Sequence, residues 1–129
     1  PEARPEPLRL KRADFFRADL SGASLKGAQA QEAVFYQARL ARTVFRDADL
    51  RRANFMEADL QGAKFTGANL EGANFAGANL HGATFAKAIG IPPAVAEGLD
   101  AHGVWNGGAL VATQGRLRVF LSRPALMRE

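Results

Sequence analysis

Apolar residues fall at every fifth position from Leu10 to Phe85. The series runs Leu10, Phe15, Leu20, Leu25, Ala30, Phe35, Leu40, Phe45, Leu50, Phe55, Leu60, Phe65, Leu70, Phe75, Leu80, Phe85, which is sixteen repeats. Two residues before each stands a small residue, nearly always Ala; Leu8 and Thr43 depart. On an α-helix, five residues leave the apolar position turned by about 140° at each repeat, so no face collects it. On a continuous strand, an odd period flips it to the opposite face each time. The pattern works if the chain turns a corner at each repeat and always points the fifth residue inward. That is a β-solenoid with very short sides.

Phe and Leu nearly alternate along the inward positions, so stacking like on like needs an even number of sides. Four sides give a coil of twenty residues and four columns: Leu10, Ala30, Leu50, Leu70; Phe15, Phe35, Phe55, Phe75; Leu20, Leu40, Leu60, Leu80; and Leu25, Phe45, Phe65, Phe85. Three sides would stack Phe on Leu in every column. Four coils at about 4.8 Å each make a rod roughly 19 Å tall. The expected core is Phe15, Leu20, Phe35, Leu40, Phe45, Leu50, Phe55, Leu60, Phe65, Leu70, Phe75, Leu80 and Phe85. Gly22, Gly27, Gly62, Gly67, Gly72, Gly77 and Gly82 each follow an inward residue by two, where a corner needs positive φ.

The tract resembles the pentapeptide-repeat proteins, whose motif is Ala-(Asp/Asn)-(Leu/Phe)-x-x. It is met by Ala-Asp-Leu at 18–20, 48–50 and 58–60, Ala-Asn-Phe at 53–55 and 73–75, and Ala-Asn-Leu at 68–70 and 78–80. The resemblance covers roughly two thirds of the chain and implies an all-β solenoid: a right-handed, four-sided β-helix of about four coils. The departures are Ala30 at an inward position, and Arg9, Gln29, Val34, Arg39, Val44 and Lys64 where Asp or Asn is usual. The expected organisation is a leader at 1–7, the β-helix at 8–90, a short capping helix at 91–103 and a tail at 104–129.

After Phe85 the beat fails. Pro93 suits a first helical turn, Val95 and Leu99 lie four apart, and Gly103 suits the position after a helix. The spacing predicts a helix over 93–101 that covers the last coil with Val95, Leu99 and Trp105. Gly98 should weaken it by about 1 kcal/mol. Residues 109–121 read as two strands around Gln114-Gly115, with Leu117, Val119 and Leu121 alternating against Arg116, Arg118 and Phe120, and 122–129 as a frayed end.

The 129 residues include no cysteine, which removes disulfides and thiolate metal sites. No apolar run approaches membrane-spanning length. The Pro/Glu-rich start at Pro1 has no apolar region and is expected to be a cleaved product or a piece of a longer polypeptide, not a signal peptide. The expected location is cytoplasmic. Net charge is +4, with twelve Lys/Arg against eight Asp/Glu over residues 8–89. Some members of the resembled family bind type II topoisomerases as acidic mimics of DNA. A mildly positive rod weighs against that role here.

Catalytic and cofactor motifs are missing from the sequence. His81 and His102 stand apart and read as solvated surface residues, so no metal, cofactor or small-molecule substrate is expected. Asp14, Asp19, Asp49 and Asp59 occupy the polar position beside the inward residue; Asp19, Arg39 and Asp59 are expected to form a surface charge ladder. Arg39, Arg42, Arg46, Arg51 and Arg52 cluster in sequence, but the coil distributes them over three sides. Phe16, Tyr36 and Met56, followed by Ala76, should form an outward stripe on the second side, with Val34 beside it. Such a stripe marks an interface unless the chain's own termini cover it. The expected function is a non-enzymatic protein-binding or assembly scaffold, with a protein partner or self-association. The alternatives are a topoisomerase-interacting DNA mimic and weak nucleic-acid binding through basic sides.

Overall fold

A computed structural model describes residues 5–107 in full and the backbone of residues 109–113 and 116–120. Parallel bridges join residues twenty apart without interruption, from Arg9–Gln29 to Asn69–Ile89, along four columns. The first side carries Arg9, Gln29, Asp49, Asn69 and Ile89; the second Asp14, Val34, Asn54 and Asn74; the third Asp19, Arg39, Asp59 and Asn79; the fourth Ser24, Val44, Lys64 and Thr84. From Leu10 to Leu70 each inward residue donates its N–H to the next coil, as Phe55 does to Asn74 at 2.7 Å. The residue before it donates to the previous coil, as Asn54 does to Ala33 at 2.9 Å. The rungs of a sheet are thereby made between coils, and no strand needs to be long.

Every corner is a tight turn. Ala58 N–H donates to the Phe55 carbonyl at 3.1 Å, and Glu57 between them has φ +56°. The equivalent position has positive φ in all sixteen repeats, nine of them with a non-glycine residue such as Arg12, Arg42 or Lys87. A left-handed backbone costs a side-chain-bearing residue about 1–2 kcal/mol. Glycine is required where the preceding coil's side chain leans over the corner: a Cβ on Gly77 would lie 3.1 Å from Glu57 Cγ.

The core is a zipper of rings. Phe35, Phe55 and Phe75 stack with centroids 4.9 and 5.0 Å apart, as do Phe45, Phe65 and Phe85 at 5.0 and 4.9 Å. The two stacks meet edge to face, Phe45–Phe55 at 5.6 Å and Phe55–Phe65 at 5.7 Å. Leu40, Leu50, Leu60, Leu70 and Leu80 fill the other two sides and are fully buried. Thr43 replaces the usual Ala without leaving a buried hydroxyl unpaired, because Oγ1 donates to the Leu20 carbonyl at 2.9 Å. Phe15 and Leu20, expected in the core, are only partly buried. They belong to the first coil, and their outer edges have no layer over them among the described residues.

The segment after the coils differs from the expected helix over 93–101. Only Pro93–Ala96 is helical (α1). Beyond it the chain turns at Asp100–Gly103 and returns, with Leu99 bridged antiparallel to Trp105. Trp105 packs against Gly98, where a Cβ would collide with the indole ring. The returning strand pairs with the last coil: Phe85 N–H donates to Gly103 at 2.7 Å and Trp105 N–H to Ala83 at 2.8 Å. Val95 and Trp105 are buried, and Leu99 is half-buried. A hairpin, with one turn of helix before it, thus pairs with the coil edge. Beyond it, Ala109–Thr113 (β1) pairs antiparallel with Arg116–Phe120 (β2). The alternation expected for the side chains of 117–121, and the end at 122–129, lie outside the described residues.

Candidate functional site

The polar positions of the coil are occupied by structural chemistry. In the Asp/Asn positions the side-chain oxygen turns back to accept the N–H two residues on, which the inter-coil ladder leaves unused. Asp14 accepts from Phe16 at 3.0 Å, Asp19 from Ser21 at 3.0 Å, Asn54 from Met56 at 2.9 Å and Asn74 from Ala76 at 3.0 Å. Asp49 and Asp59 do the same for Arg51 and Gln61 at 3.3 and 3.2 Å. The charge ladder expected of Asp19, Arg39 and Asp59 does not form. Their backbones are bridged, but the carboxylates face their own turns. The bond from the Ser21 backbone holds the Asp19 carboxyl below the ordinary carboxylate range.

Side-chain ladders form instead at two corners. Glu32 accepts from Arg12 at 2.8 Å and from Arg52 at 3.1 Å. These two guanidinium groups lower its pKa, the Arg12 hydrogen bond most. At the next corner Arg17 donates to Gln37 at 2.9 Å, and Gln37 donates to Glu57 at 2.9 Å. On the first side, Arg51 grips Asp49 through two bonds of 2.9 and 2.7 Å and holds its carboxyl low, while Gln31 donates to the same group at 2.9 Å. The sequence cluster of arginines is accordingly split: Arg51 and Arg52 are paired on the first side, Arg39 is exposed on the third, Arg42 at its corner and Arg46 on the fourth. His81 and His102 are exposed and lie in separate segments.

The second side carries the stripe. Phe16 is 47% exposed, and its ring stacks on Tyr36 with centroids 5.6 Å apart and planes 12° apart. Tyr36, Met56 and Val34 are half-buried, and Ala76 is buried. The stripe therefore rises from flat at the fourth coil to a protruding ring at the first. Arg17 lies over the Phe16 ring at 5.0 Å, and the Arg17–Gln37–Glu57 ladder runs along the adjoining corner. The result is an apolar ridge edged by hydrogen-bonded polar groups. Among the described residues, no helix is long and apolar enough to cross a membrane.

The comparisons with known proteins agree with this geometry. The family described as pentapeptide repeat region matches residues 8–85. The solved structure of a pentapeptide repeat protein from the cyanobacterium Cyanothece 51142 is 36% identical and superposes with a TM-score of 0.58, covering 67% of this chain and 54% of its own. A second, from Nostoc Pcc 7120, is 30% identical with a TM-score of 0.57, covering 63% of this chain and 79% of its own. The chain thus spans about half the length of the first relative. No curated protein sequence matches it. Coils of twenty residues, an inward Phe/Leu at every fifth position and this family match together establish that the chain belongs to the pentapeptide repeat family, whose members are right-handed β-helices.

Proposed function

We propose that this protein is a non-enzymatic binding or assembly module. A rod of four coils over residues 8–90, closed by the hairpin cap that follows, presents its second side to a protein partner or to a second copy. The observation that carries this reading is the stacked Phe16–Tyr36 pair, with Phe16 exposed and the half-buried Tyr36 and Met56 continuing the stripe on a rigid face. Large aromatic side chains on a rigid backbone lose little entropy when an interface forms, and rings of this kind anchor such contacts. The Arg17, Gln37 and Glu57 ladder supplies the polar rim.

The carboxylates support a structural role over a catalytic one. Asp14, Asp19, Asp49 and Asp59 each accept a backbone N–H and are held in their own turns. A DNA-mimic role is disfavoured by charge: the first side has five cations against three acids, and the fourth has four against one. A mimic of the duplex needs the opposite sign along its length.

The test replaces Tyr36 and Met56 together with Asp. Circular dichroism and thermal unfolding should be close to those of the parent protein, because neither side chain points into the core. Self-association measured by sedimentation, and capture of a partner once one is in hand, should weaken at least tenfold. Unchanged association in both assays sinks the stripe as a site. Unfolding of the double variant shows that the protein's own segments cover it.

A further inference from the structure

The fourth side is unlike the other three in its cations. It carries Lys26 in the first coil, Arg46 in the second, Lys64 in the third and Lys87 at the corner of the fourth, one per coil, and all four are exposed. Among the described residues none of their charged groups makes an ion pair or a hydrogen bond; Lys26 bonds only through its backbone N–H, to Ser24 Oγ at 3.4 Å. On the first side, by contrast, Arg12, Arg51 and Arg52 are each neutralised by Glu32 or Asp49 at 2.7–3.1 Å. The one acid of the fourth side, Asp47, lies against Gly67 at its corner. Rings in the stacked columns are 4.9–5.0 Å apart. The four cations therefore climb the rod over roughly 15 Å, at the inter-coil spacing of a β-sheet.

The rest of this side narrows the partner. Ser24, Thr66, Thr84 and Ala86 are small, and Val44 is half-buried. Its aromatic residues, Phe45, Phe65 and Phe85, all point inward. Single-stranded nucleic acid is held by aromatic platforms on which bases stack, and this face offers none. A membrane surface calls for apolar groups to insert, and these are also missing from the face. A duplex needs only cations set against its phosphates. We propose that the fourth side docks the sugar–phosphate backbone of double-stranded nucleic acid, without reading bases. This site is independent of the stripe, which lies on the opposite side of the rod.

The experiment is fluorescence anisotropy with a labelled 20-base-pair DNA duplex of arbitrary sequence. Four phosphate contacts give a slope of about −3.6 in log K against log salt, so affinity should fall on the order of 100-fold between 50 and 200 mM salt. Replacing Arg46 and Lys64 with Ala should bring the slope to about −1.8. A control pair on the first side, Lys11→Ala with Arg52→Ala, removes the same net charge and should leave the affinity within about twofold if local cations, and not the overall charge, set the contact. Absence of binding at 50 mM salt overturns the proposal. So does equal loss in the control pair, or an unaltered slope in the Arg46/Lys64 variant, which would move the contact to other cations. A 20-residue oligo-dT bound as tightly as the duplex, or phosphatidylserine vesicles bound while the duplex is not, would overturn the assignment of the partner.

Discussion

At the C-terminal end of the rod, Phe75 and Leu80 are buried as completely as Phe55 in the middle, whereas Phe15 and Leu20, on the same two columns at the N-terminal end, remain partly exposed. The same residue types at the same register thus have different surroundings. After the last coil the chain doubles back, and Trp105 and Val95 are buried there beside a strand that donates and accepts along the coil edge. Before the first coil, the described residues Pro5, Glu6 and Pro7 are all exposed, and Leu8 is 46% exposed. Prolines lack the N–H that would extend the ladder. A solenoid's repeats are interchangeable in the middle, and its ends acquire their properties from what flanks them.

The largest expected effect separates the middle from the first coil. Phe55→Ala should cost about 3–5 kcal/mol, since it removes a ring stacked on both sides and touched edge-on by Phe45 and Phe65. Phe15→Ala should cost about 1.5–3 kcal/mol, because Phe15 is partly exposed and stacks only on Phe35. Denaturant unfolding of the two variants measures the difference. Equal costs would mean that the first coil is as enclosed in solution as the third, and the contrast between the ends would disappear.

A middle-sized effect tests the cap alone. Gly98→Ala places a methyl group where the indole of Trp105 sits, with the ring's Cε3 2.8 Å from the new atom. Overpacking of this kind costs about 1–3 kcal/mol. Trp105 is the one tryptophan of the chain, so its emission reports the cap and nothing else. The emission should shift to the red in the variant while the circular dichroism of the rod is retained. An unshifted spectrum would show that Gly98 is not the seat of the ring.

The smallest effect is that of acid. Asp100 accepts from the His102 N–H at 2.8 Å and the Val104 N–H at 3.0 Å, and these bonds, the Val104 one most, lower its pKa from 3.8. A carboxyl whose folded pKa is depressed gives stability that is complete above its unfolded pKa and is lost as pH falls through the folded one. The hairpin turn should accordingly loosen only below about pH 4. Trp105 emission followed from pH 6 to pH 2 should change in that range, while Asp100→Ala should show the loosened signal already at neutral pH. A transition above pH 5 would assign it to another group.

The elements differ in how much of them could be read without coordinates. The period of five dictates corners, an inward column and the alternation of Phe and Leu, because side-chain direction in a coil is set by counting alone. The stripe of Phe16, Tyr36 and Met56 follows from the same count. Counting gives no access to which polar groups meet. Asp19 and Arg39 share a column without pairing, while Arg12, Glu32 and Arg52 pair at a corner, because ladder formation depends on rotamers and on the competing backbone N–H. Gly98 appears in the sequence as a weak point in a helix; the fold uses it as the seat of an indole seven residues away.

One local period repeated sixteen times dictates the coil, its inward columns and the face on which each outward residue lies. Which ends are covered and where the helix stops depend on contacts outside the repeat, such as that of Trp105 with Gly98. Which cations are neutralised depends on rotamers within a column: the period brings Arg12, Glu32 and Arg52 together, but it also aligns Asp19 with Arg39, which do not pair.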